Sequence, residues 1–75
     1  MEINRPLDVI NQSKGKKIQV ELKNGKVYRG VLAAWDVHPN LVLIDAEEVK
    51  SDGSTEKLQW VFLRGDMVAV IKPLE

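Results

Sequence analysis

The side chains with most to offer chemically lie in two short polar stretches. Asp36-Val37-His38-Pro39-Asn40 holds the only histidine of the 75-residue chain, and Arg64-Gly65-Asp66 sets a permanent cation beside a carboxylate. Imidazole and guanidinium are both planar, so His38 and Arg64 can each lie against a flat heterocycle. Asn40 carries a donor and an acceptor on one amide and can meet two groups on the edge of such a ring. Asp66 can accept from the Asn40 amide and fix its orientation, and Gly65 lets the backbone approach a ligand closely. These groups grip a planar polar molecule; they do not break bonds. The chain has no cysteine, and no nucleophile stands at a recognisable spacing from a base. His38 with Asp36 or Asp66 is too thin a set to hold a metal without a second histidine. No enzyme activity, no cofactor and no metal is therefore expected.

Each of these residues also has a plainer reading. A lone histidine in a turn is commonly a solvated surface residue. Asp36 and Asn40 can simply close a loop, because Asx side chains cap turns, and for Asp36 this structural reading is preferred. Arg64 and Asp66 can be an ordinary surface ion pair of little energetic weight. Only the joint arrangement of both stretches favours a binding site.

The elements that would position them follow from periodicity. Arg5-Pro6-Leu7-Asp8-Val9-Ile10-Asn11-Gln12 reads as a short helix within residues 5–13. Proline suits its first turn, Asp8 suits the helix dipole, and Leu7 and Ile10 share a face. Ser13-Lys14-Gly15 ends it, with Gly15 free to take a positive φ. Ile18, Val20 and Leu22 then alternate with Lys17, Gln19, Glu21 and Lys23, a half-buried strand. Asn24-Gly25 predicts a hairpin of type I′. The return strand is Lys26 to Asp36, bent at Gly30, which has no side chain to pack. A third strand runs from Leu41 to about Lys50 and turns at Ser51-Asp52-Gly53-Ser54. A fourth runs from Thr55 to Leu63, with Leu58, Trp60 and Phe62 opposite Val61 and Leu63. A fifth runs from Asp66 to Lys72, with Met67, Ala69 and Ile71 opposite Val68 and Val70, and Pro73 ends it. The fold expected is all-β in the main: a short N-terminal helix, then a strongly bent five-stranded antiparallel sheet over residues 17–72 forming a small open barrel, in one domain spanning 1–75. The last two strands carry bulk on both faces. A lone copy would leave an apolar face and a free edge uncovered. Pairing the fourth strand of one copy with the fifth of the next would cover both, and such head-to-tail contacts close into rings.

Composition narrows the partners. Formal net charge is zero, yet residues 1–30 carry seven Lys or Arg against three acids, and residues 31–57 carry six acids against two bases. Long-range attraction of a polyanion is weak in such a chain, so any nucleic-acid binding is local and should depend only modestly on salt. Lys14, Lys16 and Lys17 read first as a solvated turn after the helix, and otherwise as a positive surface that guides RNA. Trp35 and Trp60 read as core or interface anchors. No signal-peptide order and no membrane-length apolar run occurs, so a soluble cytoplasmic protein without membrane contact is expected.

Gly25, Gly30, Leu32, Asp36 and Asn40 stand at the spacing of one family motif, and Leu63-Arg64-Gly65-Asp66 matches a second. With Arg-Pro-Leu-Asp-Val-Ile in place of the N-terminal helix, the chain resembles the Sm-like (LSm) family, in particular its archaeal members, over nearly its whole length. Each motif alone is loose; both in order, with helix and turns in place, are specific. Pro39 departs from the pattern, since relatives usually carry methionine or another apolar residue there. The resemblance implies a homo-oligomeric ring of six or seven protomers, usually seven in archaeal relatives. It implies binding of uridine-rich single-stranded RNA at the inner pore rim, a role in RNA processing or metabolism, and protein partners from that machinery. The RNA-binding residues it implies are His38, Asn40, Arg64, Gly65 and Asp66. The rival reading is a ring-shaped scaffold for protein interaction with little or no RNA binding.

Overall fold

The computed structural model describes residues 6–75. In chain order these form α1 (Pro6–Gln12), β1 (Lys17–Leu22), β2 (Val27–Trp35), β3 (Leu41–Val49), β4 (Thr55–Leu63), a 3-10 turn (Gly65–Met67) and β5 (Val68–Pro73). The strands make one antiparallel sheet in the order β4-β3-β2-β1-β5, which leaves β4 and β5 as its two edges. The expected architecture of a short helix and five bent antiparallel strands is the observed one.

Alternation builds the core. Ile18 and Val20 of β1, Leu32 of β2, Leu41 and Leu43 of β3 and Leu63 of β4 are buried, and Ile10 of α1 packs against them. Burying each large aliphatic side chain stabilises the fold by roughly 1.5–3 kcal/mol. Ser13 ends α1 by donating its hydroxyl to the Val9 carbonyl at 3.0 Å. Gly15 follows with φ 78° and donates its N–H to Leu32 at 2.9 Å, which ties the helix exit to β2. Arg5 and the side chain of Leu7 lie outside the described residues.

Gly30 marks the bend, as expected. A methyl group there would come within 3.1 Å of Ala46 and of the Ile44 carbonyl, so the two strands cross closely and a side chain would force them apart by a few tenths of an ångström. The positive φ sits opposite, on Asp45 at 46°. Arg29 pairs with Glu47 but Val31 pairs with Ile44, so β3 carries the additional residue of a bulge. The bulge moves side chains to the other face. Ile44 and its partner Trp60 point outward, while Ala46 and its partner Leu58 point inward. Leu58 therefore packs on the core side with Val61 and Leu63, not with Trp60 and Phe62 as simple alternation predicts. Another bulge, at Ala69 opposite Glu21 and Leu22, turns both Val68 and Ile71 toward the core. The stretch from Asp66 does not begin a strand. Met67 donates to the Arg64 carbonyl at 3.0 Å and closes a 3-10 turn, and β5 runs on to include Pro73, paired with Ile18.

The β1–β2 and β3–β4 hairpins use three-residue loops. Leu22 donates to Lys26 and Lys50 to Ser54, each at 2.8 Å, with Gly25 at φ 89° and Gly53 at φ 88°. Asn24 does not take the positive φ that a type I′ turn requires, so the first hairpin closes as a type I turn with a glycine bulge. Trp60 is 63% exposed and Phe62 53%, leaving the outer face of β4 apolar and open. Among the described residues no helix is long and apolar enough to cross a membrane.

Candidate nucleic-acid interface

Two paired leucines set the site. Leu41 and Leu63 are neighbours in the β3–β4 ladder and both are buried. Asn40 immediately precedes the first and Arg64 immediately follows the second, so the two polar loops leave the sheet side by side. The sequence kept them far apart; the ladder register brings them together.

Asp36 builds the first loop. It follows β2 and accepts from the backbone N–H of His38 at 2.9 Å and of Asn40 at 3.0 Å, both on Oδ1. The backbone closes the same turn, Asp36 N–H to the Asn40 carbonyl at 3.2 Å. The two amides that Asp36 uses belong to residues 38 and 40. Residue 39 is not asked to donate, and so Pro39, which has no N–H, fits the loop without loss of a bond. His38 is exposed at the tip.

The second carboxylate oxygen of Asp36 accepts from Asn40 Nδ2 at 2.9 Å. Asn40 Oδ1 in turn accepts the backbone N–H of Gly65 at 2.8 Å, which joins the loops. These partners settle which end of the amide is which. A carboxylate only accepts, so the NH2 must face Asp36; a backbone N–H only donates, so the oxygen must face Gly65. One N–H and one oxygen lone pair of Asn40 remain for a ligand. Asp36 is thus the residue that orients Asn40, and the expectation that Asp66 does so is corrected. Asp66 instead pairs with Arg64, Nη2 to Oδ2 at 2.9 Å. The physical reason is proximity: Asp36 shares a tight loop with Asn40, while Asp66 leaves the 3-10 turn beside the Arg64 side chain. The three hydrogen bonds hold the Asp36 carboxyl below its ordinary pKa, with the Asn40 side-chain bond the largest contributor.

Gly65 has a definite spatial role. A side-chain carbon there would overlap the His38 carbonyl oxygen and lie 2.6 Å from its carbon and 2.9 Å from the carbonyl carbon of Pro39. Its φ is not positive, so space alone demands glycine. The close backbone approach that it allows is to the other loop. Trp35 stands behind the site. Its Nε1 donates to Asn11 of α1 at 2.9 Å, and the Lys14 ammonium lies 6.0 Å from its ring centre. Periodicity could not have identified the Asp36–Asn40–Gly65 contact, although the short spacing of Asp36 and Asn40 is its one sequence signal.

An LSM domain model matches residues 8–73. This chain belongs to the Sm-like family. A curated Sm-like relative from Archaeoglobus fulgidus is 45% identical over 69 residues, covering 92% of this chain and 90% of the relative. The Sm protein of Pyrococcus abyssi, solved in complex with a uridine heptamer, superposes with a TM-score of 0.87 at 41% identity, covering 93% of this chain and 99% of that one. An Sm protein heptamer from Pyrobaculum aerophilum superposes with a TM-score of 0.91 at 34% identity, covering 99% of each chain.

Proposed function

We propose that this Sm-like protein assembles into a homo-oligomeric ring, seven-membered like the heptamers it resembles, and binds uridine-rich single-stranded RNA without catalysis, in RNA processing or metabolism. The cytoplasm is the compartment we assign to it. The ring would form by pairing the free edge of β4 with that of β5 in the next copy, which covers Trp60 and Phe62. A base would lie between the His38 imidazole and the Arg64 guanidinium, with a stacking gain on the order of 1–3 kcal/mol.

The observation that carries this reading is the fixed amide of Asn40. Uracil presents an N3–H donor beside carbonyl acceptors, which the free lone pair and N–H of Asn40 match. Cytosine reverses the pattern, with an acceptor at N3 and an amino donor at position 4. A freely rotating amide would turn over and accept either base. With Asp36 and Gly65 holding both ends, turning over would set two donors against each other and two acceptors against each other. The wrong base therefore leaves polar groups unpaired, at roughly 1–3 kcal/mol, about fivefold or more in affinity.

Binding of oligouridine, oligocytidine and oligoadenosine to the intact assembly, with its mass measured in the native state, tests the proposal. Uridine should be preferred, Asn40→Ala should erode the preference for U over C, and Arg64→Ala should weaken every oligomer. Absence of binding to any of them at micromolar protein would return the ring to the scaffold reading.

A further inference from the structure

Arg64 can lie against a base only if the turn beneath it keeps its place. That turn is tied together internally: Met67 donates to the Arg64 carbonyl at 3.0 Å, and Val68 donates to the Gly65 carbonyl. Asn40 holds one side of it through the Gly65 N–H. The other side is held from the β1–β2 hairpin, where the Lys23 N–H donates to the Met67 carbonyl at 2.7 Å. Met67 is thus the joint between sheet and loop. Its carbonyl continues the β1–β5 ladder beyond the Leu22–Val68 pair, while its N–H turns back to Arg64.

The neighbours of Lys23 keep their bonds inside the hairpin. Gly25 donates to Leu22 at 3.0 Å, and Lys26 donates to the Asn24 side chain at 3.0 Å. The Lys23 N–H leaves it. Two tight turns joined by a short hydrogen bond move together. We infer that Lys23 is a positioning residue for RNA binding: through its N–H and Met67, the β1–β2 hairpin fixes where Arg64 meets the base. The backbone makes this contact, so the exposed Lys23 ammonium has no part in it. The inference rests on the RNA-binding reading above and adds a support from outside the two polar loops. Affinity at the base and order at the hairpin are then linked, each strengthening the other.

The test separates the N–H from the side chain. Lys23 is the second residue of the type I turn, where proline is favoured, and Leu22 before it is already extended in β1. Lys23→Pro therefore keeps the hairpin, but it removes the donor and sets a ring carbon against the Met67 carbonyl. Lys23→Ala keeps the donor, and neither variant has the ammonium. Oligouridine should bind the intact Lys23→Pro ring roughly two- to tenfold more weakly than the Lys23→Ala ring. In an Arg64→Ala background the two should bind alike, because the support then has nothing to position. A further measurement needs no variant. On the wild-type ring, saturating oligouridine should slow amide exchange at Lys23 by a similar factor and leave Lys50, which donates to Ser54 within the β3–β4 hairpin, unchanged. The inference is overturned by equal binding of the proline and alanine variants, by a difference that survives Arg64→Ala, or by a Lys23 amide indifferent to bound oligouridine. A wild-type ring that binds no oligouridine overturns the RNA-binding reading, and this inference with it.

Discussion

Asp52 and Gly53 stand together in one hairpin, whereas Asp36 and Gly65 stand in separate loops on either side of it. The residue types are the same, and so is part of the physics. Asp52 accepts from the backbone N–H of Ser54 at 2.8 Å and from its hydroxyl, and these bonds lower its pKa just as others lower that of Asp36. All of its bonds stay inside its own turn. Gly53 is likewise local: it adopts φ 88° in open space, with nothing within 4 Å of where a side chain would go. Asp36 spends one oxygen on its own loop and the other on the Asn40 amide that reaches the second loop, and Gly65 is glycine because the neighbouring loop occupies its side-chain space. One pair makes a turn. The other makes a turn and then joins it to a second one. A carboxylate with a lowered pKa is therefore no guide to function until the far end of each hydrogen bond is known.

Four changes would break or sharpen this contrast. The largest effect is expected from Gly65→Ala. Backbone atoms of His38 and Pro39 must move to admit the methyl group, so the fold should lose roughly 1–3 kcal/mol and oligouridine binding should be abolished. Thermal unfolding and binding measured together check this; wild-type binding in the alanine variant would show that the loops need not touch. Next is Asp36→Ala, which leaves the Asn40 amide held only by the Gly65 N–H and so far readier to turn over. The distinctive outcome is a gain for cytidine, with the U-over-C ratio falling from about fivefold or more toward one. A variant that weakened both oligomers equally would reduce Asp36 to a turn former like Asp52.

A smaller effect is expected on acidification. The folded-state pKa of Asp36 lies below its ordinary 3.8, so its contribution is complete above that value and is lost as pH falls through the lowered folded value. The side-chain carboxyl carbon resonance of Asp36 should therefore have its titration midpoint below 3.8. A transition well above that pH would mean that the carboxylate is not held as described. The smallest change belongs to Asp52→Ala. It should leave oligouridine affinity and base preference untouched while speeding amide hydrogen exchange at Ser54; any shift in base preference would erase the distinction between the two aspartates.

The same contrast separates what could be read in the sequence from what could not. Strand β1 was legible because Ile18, Val20 and Leu22 alternate without interruption, and both hairpins were legible from Asn24-Gly25 and Asp52-Gly53. Features set by chain crossings were not. The bulge at Asp45 exists because β3 must pass Gly30 closely, and only that crossing explains why Leu58 turns inward while Trp60 turns out. The start of β5 is not legible in the sequence, because local periodicity does not reveal that Met67 bonds back to Arg64. In the site, His38, Asn40 and Arg64 stood out by chemical type and joint spacing. The choice between Asp36 and Asp66 as the partner of Asn40 depends on where two loops meet, and residue types alone do not decide it.

Pro39 has a consequence for the cost of binding. Its ring fixes one backbone angle, and it restricts His38, the residue before it, to extended conformations. In the unfolded or unliganded chain this removes conformers that a methionine or leucine would allow, so less conformational entropy remains to be lost when the loop is ordered. The imidazole plane of His38, which we propose stacks on a base, is then set on a stiffened stem before any ligand arrives. In this chain the tip of the loop owes its readiness less to contacts made than to freedom already surrendered.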